Sequence, residues 1–79
     1  MKEKELFEKF KEEMKKEGFS EHFIQKGIER AKKYVETITS YLDHANPELV
    51  EKARIEMLPE ALEHSKKWMR AMRDVVEAV

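Results

Sequence analysis

Cysteine is absent from the 79 residues, and glycine and proline occur only twice each. Without cysteine there is no disulfide, no thiol nucleophile and no zinc–thiolate site. Two glycines exclude a glycine-rich phosphate-binding loop. No apolar run approaches the roughly 20 residues that a membrane-spanning helix needs. Met1 to Lys16 is rich in glutamate and lacks the continuous apolar stretch of a signal peptide. These absences lead to the expectation of a cytoplasmic chain with no membrane partner. An excess of either charge is also lacking. Sixteen basic residues stand against 17 acidic ones, a formal net charge of -1, which argues against a dedicated nucleic-acid binder.

What is present is charge of both signs, 42% of the residues, interleaved with apolar residues at helical spacing. Ile24, Ile28, Ala31, Val35, Ile38, Leu42 and Ala45 alternate by four and three. Leu58, Ala61, Ser65, Trp68, Met72, Val75 and Val79 do the same. Such a repeat marks helices packed lengthwise on other helices. A single domain of this size buries only roughly 60% of its unfolded surface. Self-association is a way to enlarge so small a core.

Local signals divide the chain into three predicted helices. The first spans about residues 2–17, with Leu6, Phe7, Phe10 and Met14 on its apolar edge. Lys4–Glu8, Glu5–Lys9 and Glu12–Lys16 support it as opposite charges one turn apart. Gly18 supplies a residue free to take positive φ, and Phe19 is placed to close back onto Met14 or Lys15. Ser20 caps the second helix, with Glu21 in its first turn, and the pattern extends to Ala45. Its apolar arc is widened by Phe23, Gly27, Tyr34 and Tyr41, enough to touch two neighbours. Glycine costs about 1 kcal/mol against alanine in a helix interior, so Gly27 implies close approach of another backbone.

Asn46-Pro47 opens the third helix, asparagine as cap and proline at the first position. Val50, Ala53 and Met57 line its inner face, with Leu49 beside them. Pro59 removes the bond to the Ile55 carbonyl, yet no polar turn surrounds it. One helix kinked near Ile55–Pro59 and running to about residue 78 is the expectation; a break into a fourth helix is the alternative. Short links make successive helices antiparallel neighbours. The fold class is therefore an all-α antiparallel three-helix bundle, one domain over residues 1–79. Its long third helix extends past the first and leaves apolar surface uncovered.

Charge along the third helix is polarised. Residues 46–65 hold Glu48, Glu51, Glu56, Glu60 and Glu63 against Lys52 and Arg54, a net -3. Residues 66–79 hold Lys66, Lys67, Arg70 and Arg73 against Asp74 and Glu77, a net +2. Complementation of the helix dipole on a solvated face accounts for this, and an antiparallel partner would align opposite signs. Arg30, Lys32 and Lys33 form a second basic group, which would suit nucleic acid only if both groups shared a face.

Few residues carry candidate chemistry. Glu56, Glu60 and His64 are spaced by four along one side of the third helix. A glutamate and a histidine one turn apart can share a metal, but di-iron bundles use a spacing of three, with glutamates on facing helices. A wet acidic flank is the simpler account, and no cofactor is expected. His22 and His44 lie at opposite ends of the second helix, outside its apolar arc. Thr37 and Ser40 add hydroxyls with no base beside them.

Trp68, Met69, Met72, Val75 and Val76 make a patch rich in indole and thioether, and Tyr34 and Tyr41 repeat at seven residues. Tryptophan anchors interfaces and methionine adapts to varied surfaces. Tyr34, Tyr41, Trp68, Met69, Met72 and Val76 are thus the candidate interaction residues. No catalytic motif is visible. The reading is a small helical protein–protein interaction or regulatory module that self-associates and can take a heterologous protein partner. The alternative is a metal- or small-ligand-binding bundle with enzymatic activity, centred on His64 and Trp68.

Overall fold

A computed structural model of the chain describes residues 2–42 and 46–77, apart from the side chains of Lys2, Val76 and Glu77. His44, Ala45, Val79 and the Val76 side chain, which figure in the expectations above, lie outside the described residues. Three helices follow one another: α1 (Lys2–Lys16), α2 (Glu21–Thr39) and α3 (Pro47–Glu77). No helix is long and apolar enough to cross a membrane among the described residues.

The helix boundaries follow from their capping chemistry. Gly18 takes φ 91°. Its N–H donates to the Lys15 carbonyl at 3.0 Å, and the Phe19 N–H donates to the Met14 carbonyl at 3.2 Å. This paired closure satisfies carbonyls that the end of α1 would leave open. Ser20 is extended at φ -69°, ψ 156°, and its hydroxyl accepts from the Phe23 N–H at 3.2 Å. Asn46 accepts from the Leu49 N–H at 3.3 Å, with Pro47 opening α3.

α2 ends at Thr39, short of the expected Ala45. Two hydroxyls bond carbonyls at this end, and the one on Ser40 takes the Thr37 carbonyl that a continuing helix would give to the Tyr41 N–H. Thr39 Oγ1 donates to the Val35 carbonyl at 2.8 Å, and Ser40 Oγ donates to the Thr37 carbonyl at 2.6 Å. The Tyr41 and Leu42 N–H groups then bond only three residues back, to Ile38 and Thr39. α3, in contrast, runs without interruption through Pro59, one helix rather than two. Its 31 residues span about 46 Å at 1.5 Å each, nearly the 47 Å long axis of the molecule.

Packing partners fix the topology. Phe23 meets Trp68, Tyr34 meets His64, and Ser65 reaches Gly27, so α2 and α3 form an antiparallel hairpin. Glu13 pairs with Lys66 and Glu17 with Arg70, both 53 residues apart, so α1 lies parallel to α3 in a fixed register. α1 has only 15 residues and covers one side of the hairpin for about half its length. Where the three meet, Phe10, Met14 and Met69 are fully enclosed. Phe19, Ile24, Ile28, Ala31, Val35, Leu58, Ala61 and Leu62 complete the core.

The buried stripes depart from the expected ones at their C-terminal ends. Thr39 is buried where Ile38 was expected, and Met69 where Trp68 was expected. Ile38 and Trp68 are half-buried instead, and Val75 is 56% exposed. Met69 faces Gly27 at the helix crossing, whereas Trp68, about 100° round the helix, faces Phe23 and Arg30 on the side that α1 leaves uncovered. The close approach at Gly27 is by side chains, not backbone. A Cβ there would stand 2.6 Å from Met69 Sδ and 3.2 Å from Phe10 Cζ.

Candidate functional site

The two long sides of the α2–α3 hairpin differ in kind. On the α1 side, charges from α3 clasp α1. Lys66 Nζ donates to Glu13 and, at 2.9 Å, to Glu63. Arg70 grips Glu17 through two bonds, 3.0 Å from Nε and 2.7 Å from an Nη atom. Arg73 donates to the Glu17 carbonyl at 3.1 Å and lays its guanidinium 4.0 Å from the Phe19 ring centre. The hydrogen bond from Lys66 holds the Glu13 carboxyl below its ordinary value, and that from Arg70 does the same for Glu17. Burial works against the charge on Lys66, yet its bonds to Glu13 and Glu63 raise it on balance.

This corrects the view of Lys66, Arg70 and Arg73 as a solvated dipole-complementing group. They hold the shortest helix in place. The basic group of α2 is itself divided. Lys32 lies against Phe7 of α1, while Arg30 stacks on Trp68 on the opposite side.

The side turned away from α1 is built as a row of stacked pairs. Trp68 meets the Phe23 ring edge-on at 5.4 Å, and the Arg30 guanidinium covers Trp68 at 4.4 Å. One turn along, Tyr34 stacks on His64 at 5.4 Å, and His64 Nε2 lies 3.8 Å from Glu60 Oε1. Beyond them the apolar residues Ile38, Val50, Ala53 and Met57 are half-buried. Past the reach of α1, Leu49 is 47% exposed and Tyr41 is 85% exposed. A surface hollow of about 370 Å³ runs beside Arg30, Lys33, Tyr34, Thr37 and Ile38.

The candidate interaction residues therefore separate. Tyr34 and Trp68 lie together on this open side, half-buried. Tyr41 stands just beyond the end of α2 and Met72 is half-buried. Met69 is wholly enclosed and belongs to the internal core. Sequence reasoning named Arg30 only as part of a basic group; the structure places it over the indole. The spacing of Arg30, Tyr34, Thr37 and Tyr41 by four, three and four held that signal.

The polar set on α3 does not converge. His64 turns toward Tyr34, while Glu56 borders a groove against α1 lined by Glu5, Leu6, Lys9, Ile55 and Pro59, with a volume of about 490 Å³. Among the described residues no three or more histidine, aspartate or glutamate side chains are grouped to hold a metal ion. His22 is exposed at the start of α2. Comparison with protein-family models, curated proteins and solved structures finds no match.

Proposed function

We propose that this chain is a helical interaction module that self-associates through the side of the α2–α3 hairpin opposite α1. One observation carries the reading. A 15-residue helix covers one side of a hairpin whose long arm has 31 residues, and the other side keeps Tyr34, Ile38, Met57 and Trp68 only half-buried. Burying apolar surface of this kind contributes about 25 cal/mol per Å² removed from water. Tyrosine, tryptophan and arginine supply anchors suited to such a contact. A regulatory role fits the same proposal, since a module whose chemistry is contact acts by covering a partner's surface. The cytoplasm is the compartment that goes with it: the proposed assembly needs no disulfide, and the chain has no cysteine to form one.

The ligand-binding alternative has less support. Among the described residues every buried side-chain nitrogen or oxygen has a hydrogen-bond partner. No buried polar group is left aimed into the hollow beside Tyr34.

Ile38→Asp tests the proposal. It places a charge in the middle of the open side. The variant should keep its helical circular dichroism and lose self-association by light scattering. Unchanged association with an intact fold would contradict the proposed face.

A further inference from the structure

We propose that two copies associate as an isologous dimer whose α3 helices pack antiparallel on the face turned away from α1, about a two-fold axis near His64. The inference rests on the self-association proposed above and adds its symmetry and register. Glu60 and Lys67 are seven residues apart, so they occupy nearly the same angle around α3, two turns apart. Both are exposed. The midpoint between them falls beside His64. Turning a second copy about that midpoint sets Glu60 of one protomer opposite Lys67 of the partner subunit, and the same pair forms again by symmetry.

The flanking apolar residues reverse about a point one residue earlier. Met57 and Val50 precede the pair; Trp68 and Val75 follow it. An antiparallel copy centred on the charge pair therefore brings Met57 within two residues, about 3 Å along the axis, of the partner's Trp68, and Val50 equally near the partner's Val75. Lys66, Arg70 and Arg73 are engaged with Glu13 and Glu17, so the charges that decide orientation here are Glu60 and Lys67. A parallel pairing of α3 on α3 would set Glu60 against Glu60 and Lys67 against Lys67. The area is adequate. From Val50 to Val75 the helix rises about 38 Å, and two helices side by side are roughly 20 Å across. α2 runs beside it for only about 28 Å, so the face offers on the order of 660 Å², within the roughly 600–1,000 Å² per partner of specific interfaces.

The test is a charge exchange on the full chain, read by sedimentation equilibrium. E60K sets lysine against lysine twice, and K67E sets glutamate against glutamate twice. Each variant alone should associate about tenfold or more weakly than the parent. Mixed together, the two should restore association, because every cross pair then has opposite signs. The doubly exchanged chain should do the same. Circular dichroism checks that both exposed substitutions leave the fold intact. A parent that dimerises while both single variants associate as tightly overturns this register and leaves the self-association standing. Weakened single variants that the mixture fails to restore also overturn the register. A parent that stays a single copy overturns both readings.

Discussion

Gly27 and Met69 fit together only because Gly27 has no side chain. A Cβ on Gly27 would approach Met69 Sδ to 2.6 Å, and Met69 has no exposed surface through which to retreat. Ser65 fixes the same crossing by donating its hydroxyl to the Gly27 carbonyl at 2.8 Å. Alanine would gain about 1 kcal/mol of helix propensity at this position. Overpacking typically costs more, about 1–3 kcal/mol. Gly27→Ala should therefore lower stability by roughly 1 kcal/mol in urea unfolding. A variant more stable than the parent would show that the crossing has slack.

Met69 and Trp68 should rank opposite to their size. Met69→Ala empties a wholly enclosed position and should cost about 2–5 kcal/mol. Trp68→Ala loses the edge contact with Phe23 and the Arg30 stack on a half-buried ring, about 1–2 kcal/mol. Urea midpoints of the two variants give the order directly. If Trp68→Ala proves the more damaging, the indole is a core residue and does not belong to the open side.

Acid should loosen α1 first. Glu13 and Glu17 titrate below their ordinary 4.5 in the folded chain, held there by Lys66 and Arg70. A folded value below the unfolded one means that the stabilisation is present above pH 4.5 and is lost as pH falls through the folded values. Lys66 is raised above 10.5, so its share is present below pH 10.5 and is lost as pH rises through the folded value. Unfolding midpoints measured from neutral pH down to about pH 3 should decline, and the variant carrying E13Q and E17Q should decline less. Parallel curves would assign the acid sensitivity to other carboxylates.

The α1–α3 clasp itself was not legible in the amino-acid sequence, for a physical reason. Glu13 and Glu17 match Lys66 and Arg70 in spacing, but sequence alone carries no register between helices joined through a third. The stops at Gly18 and Asn46-Pro47 were legible because capping is local chemistry. The end of α2 was misjudged because Ser40 takes a helix carbonyl through its hydroxyl, which an apolar pattern does not register. Trp68 was taken as buried because an apolar stripe does not show which of its edges α1 covers. The open side was visible only as an apolar arc too wide for one neighbour. The Arg30–Trp68 stack required the hairpin register to be known.

Ser20→Ala tests whether that local chemistry carries weight in the fold. It removes the acceptor for the Phe23 N–H at the start of α2. The expected loss is about 1 kcal/mol. Amide hydrogen exchange should quicken at Phe23, where the bond is lost. Protection there equal to the parent's would mean that another group satisfies this amide.

Sedimentation equilibrium of the unmodified chain tests the central claim most directly. At about 100 μM the expected species has twice the 9.5 kDa chain mass and dissociates on dilution as mass action requires. A single species of 9.5 kDa at that concentration would contradict self-association through the open side of the hairpin.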